Sequence, residues 1–313
     1  MTQTIRIGTR GSQLALTQSR WVQAGLQQRH PQLSVDLTII KTAGDRFLDQ
    51  PLSAIGGKGL FVKEIEDQLV AGSVDCAVHS MKDVPSELAP GLVIAAIPQR
   101  EDPRDVLIAR GGATLDRLAR GARVGTSSLR RMALVLAARP DLDVRNLRGN
   151  VDTRLRKLDA GELDAIVLAA AGLRRLGITR SEGVLFDPLE FVPAIGQGAL
   201  AIETRNDEVA TLLAPFDDEP TRIAVSAERA FLLRVGGSCR TPLAAHATLT
   251  GGTLEMRALI ASPDGTRVVR GVRHGPPPHA AALGESLADE LLAAGGTEIL
   301  QALGAHSEVP GGR

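Results

Sequence analysis

The sequence predicts an α/β protein: two α/β lobes around a hinged cleft, followed by a small α+β domain built on an antiparallel sheet. Three observations lead there. Short apolar runs alternate with amphipathic stretches up to about Ile202, the rhythm of strands covered by helices. The charged, proline-punctuated run Pro98 to Asp105 leaves the first lobe, and Phe191 to Gly198 leads back to it, two crossings of the kind that mark a hinge. Past Pro220 the pattern changes to one long helix, three alternating strands and a last helix. The division reads 1–98 with 195–217 as first lobe, 99–194 as second, and 218–313 as C-terminal domain.

With 313 residues and 43% apolar content the chain can fill a core in each part. Lys+Arg 36 against Asp+Glu 36 leaves no net charge to hold a polyanion, and 2% aromatics leave few stacking platforms, so a nucleic-acid partner is not expected. Met1 to Arg10 lacks an apolar core of signal-peptide length, and no run reaches a membrane span. A cytoplasmic protein with no membrane contact is expected. Without an exposed apolar helix face in the pattern, a monomer is expected too. The two cysteines, Cys76 and Cys239, form neither a disulfide framework nor a metal-ligand spacing. No metal is expected, and Cys76 reads as a small buried hydrophobe.

Taken in order, Ile5 to Gly8 is a strand and Thr9-Arg10-Gly11-Ser12 turns into a helix carrying Leu14, Leu16, Val22 and Leu26. Free N–H groups and the Arg10 guanidinium make an anion pocket at that helix start. Val35 to Lys41 is a strand, and Gly56-Gly57-Lys58-Gly59 a flexible loop with one cation. A helix from Leu60 to Val70 leads to a strand from Val74 to Val78, which delivers His79-Ser80-Met81-Lys82-Asp83-Val84-Pro85 to its carboxyl end. Ligands bind at that edge of α/β sheets, and Asp83 beside Lys82 can pass a proton or face a developing cation.

In the second lobe, strands are expected at 105–109, 122–125, 143–146 and 165–169. Gly125-Thr126-Ser127-Ser128-Leu129-Arg130-Arg131 opens a helix with two arginines in its first turn. Cations are disfavoured there, so Arg130 and Arg131 call for an anion. Asn146-Leu147-Arg148-Gly149-Asn150 through Arg154 repeats the arrangement. Arg174 and Arg175 follow a third strand exit, where surface charge is as good a reading as a ligand. Ala199 to Ile202 is a strand returned to the first sheet. The lobes share a rhythm but no fixed-period repeat. Cys239, on a Gly-rich loop after the helix 221–235 and with no histidine beside it, fits a covalently tethered group better than thiol-protease or metal chemistry.

Together the segments His79 to Pro85, Gly125 to Arg131, Asn146 to Arg154, Gly196-Gln197-Gly198-Ala199 and Gly237-Ser238-Cys239 closely resemble the porphobilinogen deaminase (hydroxymethylbilane synthase) family, in order from Arg6 to at least Pro242. The resemblance implies a transferase of tetrapyrrole, and hence heme, biosynthesis. Such an enzyme joins four porphobilinogen molecules head to tail with loss of ammonia and releases 1-hydroxymethylbilane by hydrolysis. It also implies two lobes like those of a periplasmic binding protein and a third domain carrying a dipyrromethane cofactor, here on Cys239. Asp83 matches the catalytic aspartate. Lys82, Asp83, Thr126, Ser127, Ser128, Arg130, Arg131, Arg148 and Gln197 match cofactor contacts. Arg10, Ser12, Gln18, Lys58, Arg148, Arg154 and Arg175 match contacts to porphobilinogen and the linear oligopyrrole intermediates, and Lys58 matches the family's mobile active-site cover. Ser238 before Cys239 and Arg240 after it depart from the family pattern. The competing reading, a non-catalytic bilobed binding module for small carboxylate anions, explains the arginines but neither Asp83 nor Cys239.

Overall fold

The computed structural model describes residues 4–46, 62–237 and 241–307. Along the chain these form β1 (Thr4–Thr9), α1 (Gln13–Arg29), β2 (Ser34–Ile39), α2 (Ala43–Arg46), α3 (Lys63–Val70), β3 (Cys76–Ser80) and β4 (Leu92–Ala96). Next come β5 (Asp105–Ala109), β6 (Arg123–Gly125), α4 (Leu129–Ala138), β7 (Asp143–Arg145), α5 (Val151–Asp159), β8 (Ala165–Ala169), α6 (Ala170–Arg175) and β9 (Gly183–Leu185). The chain continues with β10 (Leu200–Arg205), α7 (Glu208–Leu213), α8 (Glu219–Val235), β11 (Leu243–Thr250), β12 (Thr253–Ala261), β13 (Val268–Gly275), α9 (Ala280–Leu291) and α10 (Thr297–Ser307). The strand expected at 74–78 begins and ends two residues later, at Cys76–Ser80. Four short or late elements, α2, β9, α7 and α10, lie where the sequence pattern indicated none.

One compact unit comprises Met1–Pro103, Ala169–Thr179 and Gly196–Arg222. Its sheet runs β2-β1-β3-β10-β4, with β10 antiparallel to both neighbours. The returning strand expected from Ala199 is therefore seated inside the first sheet. Ile5, Ile7, Val22, Leu26, Val78 and Ile202 fill one face, and Ile65, Leu69, Val74 and Ala77 pack on the other under α3. Because β1, β2 and β3 are parallel and β10 opposes them, three carboxyl ends and the residues entering β10 share one edge.

The other unit comprises Arg104–Leu168, Arg180–Ile195 and Ile223–Arg313. Its five-stranded sheet runs β7-β6-β8-β5-β9, and its second sheet is the antiparallel β11-β12-β13. That second sheet confirms the antiparallel C-terminal element, with α8 and α9 packing on it through Ala227, Phe231, Leu283 and Leu287.

The two five-stranded sheets share more than rhythm. Arg6 donates from its main-chain N–H and Nε to Asp75 Oδ2 at 2.8 and 3.0 Å, and from Nη2 to Asp75 Oδ1 at 2.9 Å and Gly72 O at 2.8 Å. Arg123 makes the same four bonds, to Asp164 Oδ2 at 2.8 and 3.0 Å, Oδ1 at 2.8 Å and Gly161 O at 3.1 Å. Each arginine opens an Arg-Ile/Val-Gly-Thr strand end that leads to a serine cap: Ser12 Oγ accepts from Ala15 N–H, and Ser128 Oγ from Arg131 N–H. The match is one of hydrogen bonding with only a few identities, which is why the sequence showed rhythm alone.

This strut has a pH signature. The Arg123 hydrogen bonds hold the Asp164 carboxyl down at about 2, below the ordinary value of roughly 4. A lowered folded-state value contributes stability that is present above the unfolded value and is lost as pH falls towards about 2. Asp164→Asn should therefore lower the urea midpoint at pH 7 and leave it unchanged near pH 2. An equal loss at both would assign the effect to the lost backbone acceptor instead.

Candidate active site

In the first unit, β3 ends in a single 3₁₀ turn, Met81–Asp83, closed by the Val84 N–H on Met81 O at 3.1 Å. Met81 is buried while Lys82 and Asp83 are half-buried, so the apolar member anchors the turn and the two charged members face outward. The turn is tied to the chain entering β10: the Met81 N–H donates to Ala199 O at 3.0 Å. Gly196, at φ 68°, lies so close that a Cβ there would stand 2.5 Å from Met81 Cγ. Only glycine fits, both for its backbone and for its lack of a side chain.

Gly198 is tighter still. At φ 88° its missing side chain would run into the Glu101 carbonyl oxygen, while its own carbonyl accepts from Glu101 N–H at 3.1 Å and Arg175 Nη2 at 2.6 Å. Burial brings the Arg175 guanidinium down to about 10. Arg174 pairs with Glu101 and Asp102. Of the two arginines of this third strand exit, Arg174 thus binds the chain leaving β4 and Arg175 the chain entering β10. Gln197, 1% exposed, donates from Nε2 to Pro103 O at 2.7 Å and accepts at its main-chain carbonyl from Arg100 Nε. Gln18 is also buried and donates to Ser80 Oγ at 3.2 Å, and Ser12 caps α1. Arg10 is half-buried at the end of β1. Gln18, Gln197 and Arg175 therefore fix the edge on which Arg10, Lys82 and Asp83 are displayed.

In the second unit, Thr126 is fully buried, its Oγ1 accepting from Ser128 N–H at 3.2 Å, and Ser127 and Ser128 are half-buried. Arg130 and Arg131 do find an anion, and it is internal. Arg130 Nη1 reaches Asp105 Oδ2 at 2.7 Å, Arg131 Nε reaches Oδ1 at 2.9 Å, and the carboxylate is 0% exposed. The expectation that these arginines need a ligand to explain them is corrected on this point: Asp105 opposes their charge inside the fold. Two guanidinium groups face one carboxylate, burial pushes the Arg131 guanidinium down, and Arg130 Nε is buried without an acceptor.

Arg148 and Arg154 are half-buried at the start of α5, where Arg154 Nε donates to Gly149 O at 2.8 Å. Gly149, at φ 112°, makes the turn between them. Lys58 and Cys239 lie outside the described residues. Cys76 is fully buried, and burial pushes its thiol up to about 12, which leaves it an inert apolar filler.

Asp105 is the site residue the sequence reading missed. It was read as the first residue of a strand, although an acid heading Val-Leu-Ile-Ala is a signal that a buried cation awaits it. The pattern cannot say which cation.

Residues 5–212 match the family model described as porphobilinogen deaminase, dipyromethane cofactor binding domain, and residues 222–293 match that of the porphobilinogen deaminase C-terminal domain. Among curated relatives, a porphobilinogen deaminase of Roseiflexus sp. (strain RS-1) is 54% identical over 302 residues, covering 96% of this chain and 99% of that one. One from Syntrophobacter fumaroxidans is 52% identical over 299 residues, covering 95% and 97%. Among solved structures, the periplasmic aliphatic sulphonate binding protein SsuA from Escherichia coli is similar with TM-score 0.38 and 15% identity, covering 74% of this chain and 70% of that one. By its two family-model matches and its relatives over nearly its full length, the chain belongs to the porphobilinogen deaminase family.

Proposed function

We propose that the protein joins four porphobilinogen molecules head to tail, as a transferase, and releases the linear tetrapyrrole by hydrolysis. The observation that carries this is Asp83: a half-buried carboxylate on a turn locked from three sides, next to a cation, at the carboxyl edge of a sheet. A binder of carboxylate anions has no use for an acid so placed.

The residues fit the dipyrromethane group of this family. Its acetate and propionate side chains need cations, and each unit presents them half-buried at strand ends, Arg10 and Lys82 in one and Arg148 and Arg154 in the other. Guanidinium groups hold carboxylates bidentately. Thr126, Ser127 and Ser128 add neutral donors. The group when bound would supply the terminal pyrrole α-carbon to which the first unit couples. We assign its anchor to Cys239, since the chain's other cysteine is sealed in the core with its thiol held protonated.

Asp83 acts on the substrate. Departure of ammonia leaves positive charge on the methylene carbon of porphobilinogen and its ring; a fixed carboxylate stabilises that charge as it develops. When the new carbon–carbon bond has formed, the pyrrole α-carbon loses a proton, and the same carboxylate accepts it. Arg148, Arg154 and Arg10 hold the acid side chains of the incoming and growing chain, and Lys58 and Arg175 complete that set. We assign the protein to the cytoplasm, as a monomer; among the described residues no helix is long and apolar enough to cross a membrane. The domains are assigned as 1–98 with 195–217, 99–194 and 218–313.

Intact-protein mass spectrometry should find the wild-type chain heavier by one dipyrromethane and, on adding porphobilinogen, a ladder of pyrrole increments. Cys239→Ser should show neither. A ladder on that variant would overturn the anchor, and an active wild type with no added mass would overturn the mechanism. Asp83→Asn should fold and load normally while kcat falls by about 10² to 10⁴, the range of a lost general acid–base group; near-normal turnover would remove Asp83 from its role. Arg148→Leu should keep its circular dichroism and stall the ladder at early additions, whereas a variant that unfolds would recast Arg148 as structural.

A further inference from the structure

Directly before the Asp83 turn, β3 carries a buried cluster that the proposed chemistry does not use. His79 Nε2 lies 2.9 Å from Glu203 Oε2, with the two side chains 3% and 1% exposed. Glu203 is on β10, which pairs with β3 so that Ala201 stands opposite His79 and Glu203 opposite Ala77; the pair runs diagonally across two neighbouring strands. Glu203 Oε1 is buried without a hydrogen-bond donor. Glu66 of α3, also buried, faces the same carboxylate and accepts from Ala89 N–H at 3.4 Å. Burial, then the Glu203 charge, push the Glu66 carboxyl up.

Stability does not require this arrangement. Replacing both partners of a buried hydrogen bond by hydrocarbon of the same shape is often nearly neutral or stabilising, and the same face already holds Ile65, Leu69 and Ala77. What a hydrogen-bonded pair supplies over hydrocarbon is direction: an oriented contact has one good geometry, where apolar contacts tolerate many. Alternation along β3 sends His79 and Ser80 to opposite faces. Ser80 is held by Gln18 from α1, the main chain of Met81 by Ala199, and His79 by Glu203 and, beyond it, Glu66. The strand end bearing Asp83 is thus tied on both faces and along its edge, by polar contacts in all three directions.

We propose that His79, through its buried pair with Glu203, is a positioning residue that sets the direction in which Asp83 is displayed. This rests on the reading of Asp83 as the reacting carboxylate. His79 touches no substrate. Loss of its contact with Glu203 frees the end of β3 to turn, and the cost falls on the chemical step while the carboxylate-holding cations stay where they are.

The test uses cofactor-loaded enzyme, with loading counted by intact mass and kcat expressed per loaded chain. His79→Leu should lower kcat at least 10-fold with KM for porphobilinogen within two-fold of wild type. His79→Gln, which keeps a donor at the reach of Nε2, should recover most of the rate. Should His79→Leu not fold, His79→Asn, polar but too short to reach Glu203, takes its place with the same expected fall. A folded Leu or Asn variant with wild-type kcat per loaded chain, or a Gln variant no faster than Leu or Asn, overturns the proposal. An unimpaired Asp83→Asn enzyme would instead remove the reading on which it rests, and the two failures are told apart by which variant stays active.

Discussion

The second unit is organised by one carboxylate that never meets solvent. Asp105 opens β5, and its two oxygens engage Arg130 and Arg131 in the first turn of α4. Through those arginines it reaches the main chain at Val192 and Val167. A strand, a helix start and two further segments are fixed by a single acid whose removal would leave two buried guanidinium groups uncompensated, an error of several kcal/mol. The helix N-terminus tolerates its cations because the anion is supplied from inside.

The first unit meets the same problem differently. Its polar edge depends on glycines rather than on an ion triad: Gly196 and Gly198 let the chain entering β10 press against the Asp83 turn and the chain leaving β4. Arg175, Gln197 and Gln18 then satisfy carbonyl and hydroxyl groups that this close approach buries. Residues that the family resemblance groups as ligand contacts therefore divide by environment. Those half-buried at strand ends can meet a carboxylate, the buried Gln18 and Gln197 hold the backbone that displays them, and the half-buried Arg175 gives one donor to that backbone.

Much of this was legible in the sequence. Arg10, Asp83, Thr126 and Arg148 stand at strand ends because short apolar runs stop shortly before them, and the return of β10 to the first sheet followed from a strand-like run after a Gly/Pro crossover. The anion for Arg130 and Arg131 was legible only as a need. Its source lies 25 residues upstream of Arg130 in the neighbouring chain segment, and pairing across such a distance leaves no local pattern. The Arg6–Asp75 and Arg123–Asp164 struts escaped for the same reason: each joins residues far apart, and their likeness lies in bonds rather than letters. The short β9 and the helix α7 carry too few residues for a period to declare itself.

The interleaving of the sheets bears on how the chain is born. Between β3 and β4 lies β10, whose first residue follows the last of β4 by 104 positions (200 − 96). At ribosomal rates of 5 to 20 residues per second, roughly 5 to 20 s pass between the emergence of β4 and that of its partner. Throughout that interval the inner edges of β3 and β4 have open ladder positions, a surface to which other nascent strands can add. A chaperone that shields such edges, or a translational pace that shortens the wait, would decide how much of the newly made polypeptide reaches its working form.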